Sequence, residues 1–153
     1  MAVASSEGKQ GSLGIKESIL AGKNYCSNPR FSGNTRYWDG QSGRDVTSMG
    51  VTLYEGNFYQ VLSQYDILNG SNYMARCYIA GITGDCSMNI GTTIEGSELG
   101  GAMLQAGWNN IKFTGSTDNI ITFVVPSSGE LKVQEVQVNK QIDMYATGNF
   151  LNV

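Results

Sequence analysis

Along this chain, apolar and polar positions change places over short runs, and the runs are separated by turn residues. The clearest is Tyr73–Ala80, YMARCYIA. Tyr73, Ala75, Cys77 and Ile79 fall on one face, and Arg76 and Tyr78 on the other, which is the period of a half-buried strand. Similar runs predict strands over Ile19–Cys26, Asp45–Tyr54, Phe58–Gln64, Asp85–Ile94, Trp108–Thr114, Asn119–Val125 and Leu131–Val138. Between them lie Ser27-Asn28-Pro29, Glu55-Gly56-Asn57, Gly115-Ser116-Thr117-Asp118 and Pro126-Ser127-Ser128-Gly129, all rich in residues that favour turns. The interval Gly96–Gly107 reads as a loop, because Gly100, Gly101 and Gly107 disfavour a helix.

The last run breaks its own period. In LKVQEVQV, Leu131 and Val133 share one parity while Val136 and Val138 take the other. Without an inserted residue, half of these side chains would face water. A β-bulge near Gln134-Glu135 restores an inward apolar face. About eight strands with closely spaced turns predict an all-β, two-sheet antiparallel sandwich of the jelly-roll kind. The ends do not share the pattern. Residues 1–18 are small, polar and glycine-rich, and read as an extended N-terminal arm. Residues 139–153 form a tail that carries Ile142, Met144, Tyr145, Phe150, Leu151 and Val153. The expected organisation is therefore an arm (1–18), a sandwich domain (19–138) and a tail (139–153).

Composition narrows the options. The chain has 153 residues, enough for one domain with a real core. With 41% apolar and 15% charged residues, it is not a disordered chain. The net charge is −3 and the basic residues are singly spaced, which argues against nucleic acid as a partner. The three cysteines, Cys26, Cys77 and Cys86, lack the spacing of a zinc or redox motif and read as buried apolar thiols. No run is long and apolar enough for a membrane span, and the start lacks the pattern of a signal peptide. The expected site of folding is a reducing cytoplasm.

The order of several short segments resembles the jelly-roll carbohydrate-binding modules, which are galactose-binding-like β-sandwiches. NPRF at 28–31 followed by Trp38 resembles the opening of those modules. The run at 73–80, WNNIKFTG at 108–115, ITFVVP at 121–126 and GELKVQEVQV at 129–138 follow in the family's order. The resemblance implies a core containing Phe31, Trp38, Trp108, Phe113, Phe123, Val136 and Val138. Many members hold a calcium ion through an acidic residue after the opening Phe and an Asp in the final strand. This chain has Ser32 and Gln134-Glu135 there, too few carboxylates for calcium, so no metal or other cofactor is expected.

Candidate chemistry is sparse. With no histidine, the commonest general base and the histidine-dependent nucleophile pairs are missing. Glu95 and Glu98, the nearest acidic pair in a loop, read as solvated side chains rather than a glycosidase pair. The expectation is a protein with no catalytic residues. The candidates for ligand binding are Tyr54, Tyr59, Tyr65 and Tyr78, with Arg76 nearby to hydrogen-bond hydroxyls. The first functional reading is a structural or decoration module of a multi-subunit assembly, a virion (phage) surface component made in the host cytoplasm. It would join a homo-oligomer or other structural subunits through residues 1–18 and 139–153. The alternative is a glycan-binding module, extracellular in location, that uses the surface tyrosines.

Overall fold

The computed structural model describes residues 14–20 and 22–146, with side-chain packing described for 22–141. Strands β1 (Gly14–Leu20), β2 (Arg44–Thr47), β3 (Gly50–Leu53), β4 (Gly56–Leu62) and β5 (Asn72–Thr83) occupy the first half. They are followed by β6 (Ser87–Gly91), β7 (Gly100–Met103), β8 (Gly107–Thr114), β9 (Asn119–Val125) and β10 (Glu130–Ala146). No helix occurs among the described residues. The larger sheet runs β2-β3-β10-β5-β8 and the smaller runs β4-β9-β6-β7, with antiparallel pairing in both. The protein is an all-β two-sheet sandwich.

Strand alternation fills the space between the sheets. The larger sheet contributes Val51, Leu53, Tyr73, Ala75, Cys77, Ile79, Ile111, Phe113, Leu131, Val133, Val136 and Val138, all buried. The smaller contributes Phe58, Leu62, Met88, Ile90, Ile121, Phe123 and Val125. The change of phase in β10 lies where the sequence required it. Its register against β5 shifts between Lys132 and Val133 and again between Val133 and Glu135. Gly50, on the other side of β10, has a φ of +146°, and a Cβ there would lie 2.4 Å from the Val133 carbonyl oxygen. A side chain at position 50 would collide with the bulge.

Several element boundaries differ from the sequence reading. Of the run Ile19–Cys26, Ile19 and Leu20 are strand, at the end of β1, whereas Asn24, Tyr25 and Cys26 run irregularly beside β10. There the Asn24 side chain replaces a ladder, accepting from the Val138 N–H at 2.8 Å and donating to the Val136 carbonyl at 3.0 Å. Asp45–Tyr54 is two strands, β2 and β3, joined at Ser48-Met49. The interval expected to be a loop contains β7, paired with β6 from Ser87–Met103 to Ile90–Gly100. Residues Lys140 to Ala146 continue β10 as strand.

Gly22–Lys140 forms one compact unit. β1 belongs to a second unit, in which it pairs with the end of β10, from Gly14 opposite Ala146 to Leu20 opposite Gln141. The proposed arm (1–18) and tail (139–153) fall partly outside the described residues.

Candidate functional site on the outer face of the larger sheet

The centre of the larger sheet fixes three adjacent strands in register, and their outward residues form rows. Tyr78 lies opposite Trp108 on one side and Glu135 on the other. In the next row Arg76 lies between Asn110 and Gln137, and in the next Met74 lies between Lys112 and Asn139. Residues directly opposite across an antiparallel pair have Cβ atoms about 5 Å apart, so each row is a contact and not merely a shared face.

Trp108 is the correction this region makes to the sequence reading. Assigned to the core by resemblance, it is 43% exposed. Its parity explains this: on β8 the buried positions are Asn109, Ile111 and Phe113, so residue 108 must point outward. The loop before it is held by Asn109, whose side chain accepts from the Gln105 N–H at 3.0 Å. The same side chain donates to the carbonyls of Gln105 at 2.8 Å and Gly107 at 3.1 Å. The Trp108 ring meets Tyr78 edge-on at 5.4 Å between centroids, and the Arg76 guanidinium lies 4.7 Å from its centroid. The other six expected core residues, Phe31, Trp38, Phe113, Phe123, Val136 and Val138, are buried.

Polar groups surround this platform unevenly. Glu135 is committed to Arg30, 3.6 Å away, and to the amide of Gln137. Arg76 takes part in none of the ion pairs among the described residues. Its Nε is buried and has no hydrogen-bond partner there, and one row away the buried Oδ1 of Asn139 also lacks one. A shallow depression of about 250 Å³ adjoins the platform along β5. It is bounded by Met49, Thr52, Ala80, Lys132 and Gln134, beside the β10 bulge.

Of the five candidate binding residues, the fold joins only Arg76 and Tyr78. Tyr54 lies at the end of β3, where its hydroxyl donates to Asp45 at 2.7 Å. That hydrogen bond, ahead of partial burial and the charges of Asp45 and Glu130, raises the phenol above its ordinary value. Tyr59 faces outward on the smaller sheet, its backbone bridged to Asp39. Tyr65 is 84% exposed in the loop after β4 and borders two clefts, of about 230 and 280 Å³, with Gln64 and Thr117. Those clefts are lined by no arginine or lysine, and Asp118 is their one charged side chain, whereas the platform carries the Arg76 cation.

The remaining reactive groups are accounted for. The cysteines are free and buried; burial pushes the Cys77 thiol up to about 12 and raises Cys26 and Cys86 too. Such thiols remain protonated near neutral pH and are poor nucleophiles. Asn57 donates to the Glu95 carboxylate at 2.8 Å, and Thr92 donates to that of Glu98, which lowers Glu98 below the usual carboxylate range. No cluster of three or more His, Cys, Asp or Glu residues that could hold a metal occurs among the described residues. No helix among them is long and apolar enough to cross a membrane.

Fold and platform together define an antiparallel β-sandwich with an aromatic and polar patch on one outer sheet face. Among solved structures, the chain is similar to the enzymatically active domain of tailspike protein 4 of bacteriophage CBA120. Identity is 18% and the TM-score 0.55, over 76% of this chain and 21% of that one. The chain thus matches about a fifth of the length of that tailspike domain. No family model and no curated protein matches it. The likeness overturns the expectation that the chain catalyses nothing. A similar fold lies within a chain described as enzymatically active, so the sandwich does not by itself exclude activity.

Proposed function

We propose that this chain is a module of a phage surface assembly of the tailspike kind, and that it holds a saccharide on the outer face of its larger sheet. The observation that carries the proposal is the exposed Trp108 ring, fixed between Tyr78 and Arg76 and bordered by the amides of Asn110 and Gln137. An aromatic ring of this kind offers a flat apolar surface to the C–H face of a sugar, while its polar neighbours meet the hydroxyls. The resemblance of the sequence to carbohydrate-binding modules supports a saccharide as the kind of ligand, though not this face. Location at the virion surface rests on the tailspike likeness.

The chain ends support the assembly part of the reading. β1 and the end of β10 pair with each other in a unit distinct from Gly22–Lys140, and we read that ribbon as the part a neighbouring subunit would grip.

Saccharide titration of the full chain, followed by NMR, is the test. We expect saturable binding at micromolar to millimolar concentration, lost in Trp108→Ala and weakened in Tyr78→Ala while both variants stay folded. Binding that survives Trp108→Ala, or no saccharide binding across a broad panel, would refute the proposal. Sedimentation of the full chain beside versions lacking residues 1–18 or 139–153 checks the assembly part. A discrete oligomer that falls to monomer on truncation supports it, and a monomer throughout refutes it.

A further inference from the structure

Within the reading of this face as a saccharide site, on which the inference rests, we infer that the ligand is an acidic saccharide whose oxyanion is held by Arg76. Arg76 carries a full positive charge at the centre of a sheet, half-buried, where an uncompensated charge is unfavourable. Natural folds usually give such a guanidinium a carboxylate, as Arg30 has in Glu135. Arg76 has neither a carboxylate among the described ion pairs nor an acceptor for its buried Nε–H. The Trp108 ring compensates only in part, since an exposed cation–π contact contributes less than a charge-assisted hydrogen bond. Among the described residues, then, a cation is held in place without an anion to meet it.

The neighbours favour an anion as well. Lys112 projects outward from β8, diagonal to Arg76 in the cross-strand register, and it too belongs to none of the described ion pairs. The nearby acidic residue, Glu135, is already neutralised by Arg30. The platform therefore carries local positive charge on a chain whose net charge is −3. A carboxylate or sulfate on a sugar stacked on Trp108 would meet both the guanidinium and the lysine. A neutral sugar would leave Arg76 as the free protein has it. The guanidinium fork matches a planar carboxylate better than an ammonium does, so charge alone is not the whole of the recognition.

The test uses the full chain and matched ligands: uronic-acid oligosaccharides, their carboxyl-reduced neutral forms, and sulfated galactans. Calorimetric titration should show an acidic form bound at least about tenfold more tightly than its neutral partner, equivalent to about 1.4 kcal/mol. Preference for the uronic acid or for the sulfated form identifies which oxyanion the site takes, and either supports the inference. Arg76→Gln should bring acidic and neutral forms to equal affinity, and Arg76→Lys should restore only part of the gap. Should Arg76→Gln not fold, Lys112→Gln, at an exposed position, must still narrow the preference. Equal binding of acidic and neutral forms by the unaltered chain would overturn the inference and leave the saccharide site standing. No binding of either form would overturn the saccharide reading itself.

Discussion

The two tryptophans meet opposite fates. Trp38 is 6% exposed and lies within contact distance of Phe31, Phe58 and Phe123; it stacks on the Phe58 ring at 5.0 Å with an interplanar angle of 4°. Its indole N–H donates to the Asn28 carbonyl at 3.3 Å. Every part of that side chain is used by the fold. Trp108 has an aromatic neighbour and a cation, yet 43% of it faces solvent. One ring closes the core and the other is held in place at the surface, where its remaining area is free for something else. Residue type does not distinguish them. What does is the surrounding set of partners: apolar rings on every side of Trp38, a tyrosine edge and an unpaired guanidinium beside Trp108.

The largest expected effect is on Trp38. Trp38→Ala opens a cavity among three phenylalanines and should destabilise the fold by about 3–5 kcal/mol in urea unfolding. A loss below about 1 kcal/mol would mean that the ring is not packed as described. Trp108→Ala is the counterpart. It removes one cross-strand contact and one cation–π contact, so it should cost only about 1 kcal/mol. A loss as large as that at Trp38 would make Trp108 a structural residue and end the contrast.

The smallest effect concerns Tyr54, an exposed ring whose polar end is already occupied. Spectrophotometric titration should find its phenol ionising above 10.0, and Asp45→Asn should return it toward that value. Because the folded-state value is raised, its contribution to stability is complete below the ordinary phenol pKa. That contribution disappears as pH rises through the higher folded value. An unshifted phenol would show that the Asp45 hydrogen bond does not persist in solution.

How much of this was legible in the sequence depended on which signal each segment carried. β9 could be read at Asn119–Val125 because its apolar run is bounded by strong turns on both sides. The β10 bulge was legible because two pairs of valine and leucine positions contradict each other in parity. β7 was missed because Gly100 and Gly101 carry no side chains and therefore no period. The reason for Gly100 is tertiary: a Cβ there would come within 2.9 Å of Ile111 Cγ2. Asn24 and its neighbours were mistaken for strand because apolar Tyr25 and Cys26 flank a segment whose backbone is bonded by a side chain. The platform was half legible. Arg76 and Tyr78 stood out by alternation on β5. Trp108 was given to the core on resemblance, although its parity opposite Ile111 and Phe113 already pointed outward. That Arg76 would meet no acid among the described residues could not be read at all, since it depends on which strands the fold sets beside β5.

The bulge in β10 also links two stretches of chain that lie far apart in sequence. Position 50 can bear no side chain while the Val133 carbonyl projects toward it, and that carbonyl lies at the register shift beside Gln134-Glu135. In a lineage descended from this chain, loss of the inserted residue would turn Val136 and Val138 toward water. A glycine at 50 is therefore required as long as the bulge is kept, and a recombinant that combined the bulge with a larger residue at 50 would fail there.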